Sequence, residues 1–145
     1  MSVCQESMST AFSTEFIPGW GDVDQDRVLH FPIVFRYFKE TEARFYRSLG
    51  IPRGTLLQEL DIWMPRVETH CLFVRPIKYD EALEVRMTVG DIADKTITYS
   101  YQIVSRDRQS LLAEGYLSVL IVSGAEFKPT QVPESLRELL NPYVQ

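Results

Sequence analysis

The chain has 145 residues, of which 15 are basic and 20 acidic, for a formal net charge of −5, and 45% of it is apolar. That balance supplies a packed core and excludes a disordered tail or a collagen-like rod. So acidic a chain is not a generic nucleic-acid binder, and apolar runs such as Val119–Val122 fall far short of the roughly 20 residues of a membrane helix.

The first ten residues, MSVCQESMST, lack the cationic start and apolar block of a secretory signal. They read as a flexible leader on a cytoplasmic protein. Residues 11–145 read as one domain, with no internal repeat or linker. Phe12, Thr14 and Phe16 alternate with Ser13, Glu15 and Ile17, a short strand closed by Pro18-Gly19. A polar loop from Trp20 to His30 precedes an apolar stripe at Val34, Phe38, Thr41, Phe45 and Leu49, which predicts a helix from about Pro32 to Leu49. Pro32 suits a helix start, and Gly50 followed by Ile51-Pro52 is a stop signal.

After a mixed stretch through Trp63, strands dominate. A first runs from Pro65 to Arg75. Leu83, Val85, Met87 and Val89, then Ile97, Tyr99, Tyr101 and Ile103, alternate with polar residues, and the Gly90–Lys95 connection makes the pair an antiparallel hairpin. A last strand is expected from Leu111 to Val122 and a short helix over Pro133–Leu140. One long apolar helix must bury its stripe against this antiparallel sheet of about five strands, which gives an α+β layer structure.

Chemistry concentrates ahead of the helix, where Trp20-Gly21-Asp22-Val23-Asp24-Gln25-Asp26-Arg27 sets three carboxylates at alternate positions. A calcium loop of the EF-hand type fails, because its Gly and Glu positions hold Arg27 and Ile33. For Asp22 and Asp26 an ordinary role at the positive end of the helix dipole is the simpler reading. Two cysteines, Cys4 and Cys71, are expected to stay reduced, and with His30 and His70 they provide no zinc spacing, so no metal is expected.

The stretch WGDVDQDRVLHFPIVFRYFKETEARFYRSLGIP resembles the signature of hotdog-fold acyl-CoA thioesterases of the 4-hydroxybenzoyl-CoA thioesterase type. Phe73 to Asp80 with Leu83 and Val85, Leu112-Ala113-Glu114-Gly115, and Phe127-Lys128-Pro129 with Val132-Pro133 resemble later parts of the same pattern. The likeness spans roughly Phe12 to Leu140. It implies a hotdog fold, a helix wrapped by the sheet, and Asp24 as the catalytic carboxylate, either nucleophile or general base. It places the Phe31 backbone N–H in the oxyanion hole, where unsatisfied helix N-terminal donors meet the charge developing on a thioester oxygen. A homodimer or homotetramer with pockets at subunit interfaces is also implied. The chain departs from the pattern at Arg27, where glycine is usual, so the loop either avoids a positive φ there or absorbs strain. Ile33 and Phe31 replace a polar residue and a frequent tyrosine, which changes the acyl pocket.

The substrate expected is an acyl-CoA, and similarity of Val28–Phe31 and Phe35–Tyr37 to 1,4-dihydroxy-2-naphthoyl-CoA thioesterases makes an aromatic acyl group plausible. No cofactor is expected beyond the coenzyme A of the substrate. Asp22, His30 and Trp63 are candidate substrate contacts. Arg75, Lys78, Arg106, Arg108 and Lys128 are candidate partners for its phosphates. Glu40 reads as a polar-face helix residue, and His70 and Cys71 point to opposite strand faces and form no catalytic pair. The alternatives are a thioesterase that releases acyl chains from an acyl carrier protein and a non-catalytic acyl-binding protein.

Overall fold

Residues 11–145 are described by a computed structural model; the expected leader over residues 1–10 and Cys4 lie outside them. The predicted stripe forms the buried side of helix α1 (Ile33–Ser48), with Val34, Phe38, Thr41 and Phe45 all buried. Pro32 precedes it at φ −66°, and Gly50 follows it at φ +86°, a left-handed stop that glycine adopts without steric cost.

Strands β1 (Phe12–Phe16), β3 (Arg66–Phe73), β4 (Leu83–Ile92), β5 (Thr96–Ser105) and β6 (Leu111–Leu120) make one antiparallel sheet in the order β1-β4-β5-β6-β3. Alternation decides its two faces. Leu83, Val85, Met87 and Val89 of β4 and Ile97, Tyr99, Tyr101 and Ile103 of β5 point inward and are buried. Helix α1 covers that inner face through aromatic contacts. Phe16 stacks on Tyr37 at 4.5 Å, Phe38 on Tyr101 at 4.1 Å, and Phe12 meets Phe45 edge-on at 5.6 Å. This is the hotdog arrangement that the resemblance implies.

Three features depart from the sequence expectation. The mixed stretch contains helix α2 (Arg53–Leu60), which buries only Leu56 fully and so carries little apolar periodicity to detect. Strand β4 continues through Gly90, by a register shift between Val89 and Asp91, to Ile92, so the hairpin turn shortens to residues 93–95. The last strand breaks after Leu120, and its continuation β7 (Val122–Ser123) pairs with a two-residue strand β2 (Ile62–Trp63) in a separate ladder. Helix α3 (Glu134–Leu140) closes the fold as expected and buries Leu136 and Leu140.

One buried charge joins the layers. Glu42 on α1 is fully buried; its Oε1 accepts a hydrogen bond from Arg66 at the start of β3 and lies 3.4 Å from Arg53 Nε on α2. Both arginines also donate to the Met64 carbonyl, at 3.0 and 3.2 Å. The residue sits at helical spacing between Phe38 and Tyr46, within the buried arc, and that placement is the signal sequence reasoning missed.

Candidate active site

The loop ahead of α1 is built by its own acids. Gly19 N–H donates to Asp22 Oδ2 at 3.1 Å while Asp22 N–H donates to the Gly19 carbonyl at 3.0 Å, closing a short 3-10 turn over Trp20–Asp22. The same carboxylate accepts from Arg36 at 2.5 Å and from the Tyr37 hydroxyl at 3.1 Å, tying the loop to the first turns of α1. Partial burial pushes the Asp22 carboxyl pKa upward, but the bonds from Gly19, Arg36 and Tyr37 outweigh it and hold the group below its ordinary value. Asp22 is thereby occupied as a brace.

Asp24 is exposed, and its environment is different. Its Oδ1 accepts from the N–H groups of Asp26 at 2.9 Å and Val28 at 3.4 Å, a side chain mimicking a backbone turn. Its Oδ2 accepts no hydrogen bond among the described residues. The backbone closes around it: Asp24 N–H reaches the Val28 carbonyl and Arg27 N–H the Asp24 carbonyl, both at 2.9 Å. Arg27 adopts φ +63°, so the loop absorbs the strain that glycine would avoid. Tyr79 N–H on the Arg27 carbonyl at 3.1 Å, Leu29 N–H on the Ile77 carbonyl at 2.7 Å, and a Val28–Lys78 bridge hold the turn in place. Trp20 stacks on Tyr79 at 4.1 Å behind it.

His30 and Phe31 connect this turn to the helix, both exposed, with their rings edge-on at 5.7 Å. His30 N–H is used, donating to the Asp22 carbonyl at 2.8 Å. Phe31 N–H donates to no acceptor among the described residues. An anionic acceptor and a spare helix-start donor thus flank the same short turn, the pairing that attack on a carbonyl needs.

The remaining candidates divide between two ends of the sheet. Lys78 lies beside Arg27, and Arg75 follows β3 with its N–H on the Leu112 carbonyl at 3.0 Å. Arg106 and Arg108 occupy the β5–β6 turn near them, Arg106 pairing with Glu15 at 3.2 Å and Arg108 with Glu81 at 3.0 Å. Arg27, Arg75 and Lys78 have no ion pair among the described residues. Trp63 and Lys128 are elsewhere. Trp63, 53% exposed, sits on β2 at the opposite end of β3 and borders a cavity of about 440 Å³ with Leu57, Gln58, Asp61 and Ile62. Lys128 is 3.9 Å from Glu126 in the turn after β7, whose carbonyl meets Ser123 N–H at 2.8 Å.

Other groups fall where the sequence put them. Glu40 lies on the polar face of α1 near Arg36 and Arg44, at 3.9 and 3.6 Å. His70 stacks on Tyr116 on the outer face of the sheet, while Cys71 points inward, its thiol pushed up to about 11 by burial. A hollow of about 480 Å³ on that outer face, lined by Arg86, Ser100, Gln102 and Glu114 among others, contains none of the candidate residues. Among the described residues no group of His, Cys, Asp and Glu could hold a metal ion, and no helix is long and apolar enough to cross a membrane.

A family described as the thioesterase-like superfamily matches residues 18–140. The chain belongs to that superfamily. A putative esterase from Aquifex aeolicus (strain VF5) is 27% identical over 86 residues, which is 59% of this chain, and the chain spans 66% of that relative's length. In structure the chain is similar to a 1,4-dihydroxy-2-naphthoyl-CoA thioesterase from Synechocystis, with TM-score 0.82, 18% identity, and coverage of 90% of this chain and 96% of that one. It is also similar to a hypothetical protein from Staphylococcus aureus in complex with CoA, with TM-score 0.81, 15% identity, and coverage of 92% and 83%. Superfamily membership indicates a thioester hydrolase.

Proposed function

We propose that this thioesterase-like protein hydrolyses an acyl-CoA, in the manner of the 4-hydroxybenzoyl-CoA type, with Asp24 as the catalytic carboxylate and the Phe31 N–H in the oxyanion hole. The observation that carries this reading is the open Oδ2 of Asp24 in a turn that leads, through His30, to the unoccupied Phe31 N–H just ahead of α1. Attack on the thioester carbon moves charge onto the carbonyl oxygen, which the Phe31 N–H stabilises. The C–S bond then breaks, and coenzyme A leaves as a thiolate that takes up a proton. Water supplies the hydroxyl of the acid product, either activated by Asp24 as a base or by hydrolysing an acyl–Asp24 anhydride. These residues need no cofactor beyond the substrate's own coenzyme A.

Arg27, Lys78 and Arg75 would attract the substrate's phosphates, with Arg106 and Arg108 partly offset by their glutamates. Residues 11–145 act as a single hotdog domain, in a cytoplasmic protein, and the assembly is a homodimer or a homotetramer. Strand β3 supports that state: it is an edge strand with no lysine or proline, and Val67, Leu72 and Phe73 along it, with Val74 just beyond, are exposed.

Free-thiol release from aromatic and aliphatic acyl-CoAs, measured for the native chain and for Asp24→Asn, tests the reading. Turnover that collapses in the variant is expected. Turnover that survives removes Asp24 from the chemistry, and turnover only on carrier-bound acyl groups reassigns the substrate to an acyl carrier protein.

A further inference from the structure

Trp20 is 67% exposed, the highest fraction of any large apolar side chain among the described residues, yet it is firmly placed. It opens the 3-10 turn that the paired Gly19–Asp22 hydrogen bonds close, and just before it the Pro18 carbonyl accepts from Asp80 N–H at 2.9 Å. One face of the indole lies on the Tyr79 ring, with centroids 4.1 Å apart and planes 25° apart. With that face covered, the exposure belongs to the opposite face and the ring edge. An aliphatic side chain would shield Tyr79 as well; the indole adds a flat outward surface of fixed direction.

Cations stand beside that surface. Tyr79 N–H donates to the Arg27 carbonyl at 3.1 Å, and Lys78, the residue before Tyr79, bridges Val28. Arg27 and Lys78 are both exposed. Asp26 and Asp80 share these loops and offset part of their charge, so it is the open ring face that singles out a ligand here. A stacking face next to a guanidinium and an ammonium group matches a purine nucleotide, whose base takes the ring and whose phosphates take the cations. Asp24 follows Trp20 by four residues, at most about 14 Å between their Cα atoms, a gap that the pantetheine arm of coenzyme A spans.

We propose that Trp20 binds the adenine ring of the substrate's coenzyme A, stacked on the indole face opposite Tyr79. The inference rests on the thioesterase reading above and adds where the nucleotide base goes. The contact recognises the carrier and not the acyl group. It favours CoA thioesters over the same thioesters on pantetheine alone or on a carrier protein, neither of which brings an adenine. Because the turn and Tyr79 set the indole before substrate arrives, little ordering is lost on binding.

Hydrolysis of benzoyl-CoA is compared with that of S-benzoylpantetheine, which keeps the thioester and the arm but lacks the nucleotide. Trp20→Ala is expected to raise KM for benzoyl-CoA about tenfold, the usual worth of one base–aromatic stack, at unchanged kcat, and Trp20→Phe to recover most of the loss. Both constants for S-benzoylpantetheine should stay native in Trp20→Ala, which also shows that the variant is folded. A KM raised equally for both substrates makes the indole a contact of the arm or acyl group, or a prop for the Asp24 turn, and overturns the proposal, as does an unchanged KM for benzoyl-CoA. Calorimetric binding of adenosine 3′,5′-bisphosphate needs no turnover and separates the two readings. A native chain that hydrolyses neither substrate, yet binds the bisphosphate about tenfold more tightly than Trp20→Ala does, defeats the thioesterase reading and keeps the nucleotide contact. A native chain that hydrolyses benzoyl-CoA, with bisphosphate affinity unmoved by that substitution, keeps the thioesterase reading and defeats the contact.

Discussion

Asp24 stands in an exposed turn, one oxygen held by two backbone N–H groups and the other open, whereas Glu42 is sealed beneath α1 with one oxygen against two guanidinium groups. Both acids border the same helix, Asp24 just ahead of its start and Glu42 at its middle. The first is fixed in direction yet reachable, as an attacking or proton-accepting group must be. The second is compensated on the spot and inaccessible, so its charge can only join α1, α2 and β3. A carboxylate's use here follows from what its second oxygen faces.

Substitutions can break or sharpen that contrast. The largest effect is expected at Asp24→Asn: a loss of roughly 10²–10⁴-fold in kcat with an unchanged Tm, checked by thiol release and calorimetry. Glu42→Gln should do the reverse. It leaves Arg53 and Arg66 facing a neutral amide in a buried place and should cost about 3–5 kcal/mol in denaturant unfolding, while activity per folded molecule is retained. An inactive but fully stable Glu42→Gln would erase the distinction.

Smaller effects are expected on either side of Asp24. Arg27→Gly relieves a left-handed φ at the expense of unfolded-state entropy, a net gain of about 0.5–1 kcal/mol, and should raise KM for acyl-CoA about threefold by removing one exposed cation. Asp22 gives the mildest change, present near neutrality and lost in acid. Because its folded-state pKa is lowered, mainly by the Gly19, Arg36 and Tyr37 bonds acting against burial, its contribution is present above the unfolded carboxyl value of about 3.9 and is lost as pH falls through the folded one. The Tm difference between the native chain and Asp22→Asn should therefore be constant near neutrality and shrink below about pH 4. A difference that grows in acid would contradict the bracing role.

Much of the fold was legible because its signals are local. The α1 stripe, the alternation in β4 and β5, and the Gly50 stop each follow from spacing within a few residues. Helix α2 was not legible, since a segment that buries only Leu56 fully leaves no period to read. Glu42 escaped for the opposite reason: its neighbours Phe38, Phe45 and Tyr46 announce a buried face, but the arginines that make an acid tolerable there arrive from α2 and β3. At the loop, sequence could pose the question of Arg27 without answering it. The answer depends on Tyr79 and Asp24 holding the turn from both sides. The separation of Trp63 from Asp24 is a matter of strand length and direction, which no residue pattern near either one encodes.

Gly115 on β6 lies between Tyr101 and Cys71 in the inward row of the sheet, and a methyl group built on it would sit 2.0 Å from the His70 carbonyl. The spacing of β3 from β6 is thus tuned by a single missing carbon. Drift at this position would be tolerated by the loop chemistry and by the helix, yet it would move the outermost strand as a whole. Selection on residue 115 would act on where the outer edge of the sheet lies, before it acted on the turn that holds Asp24.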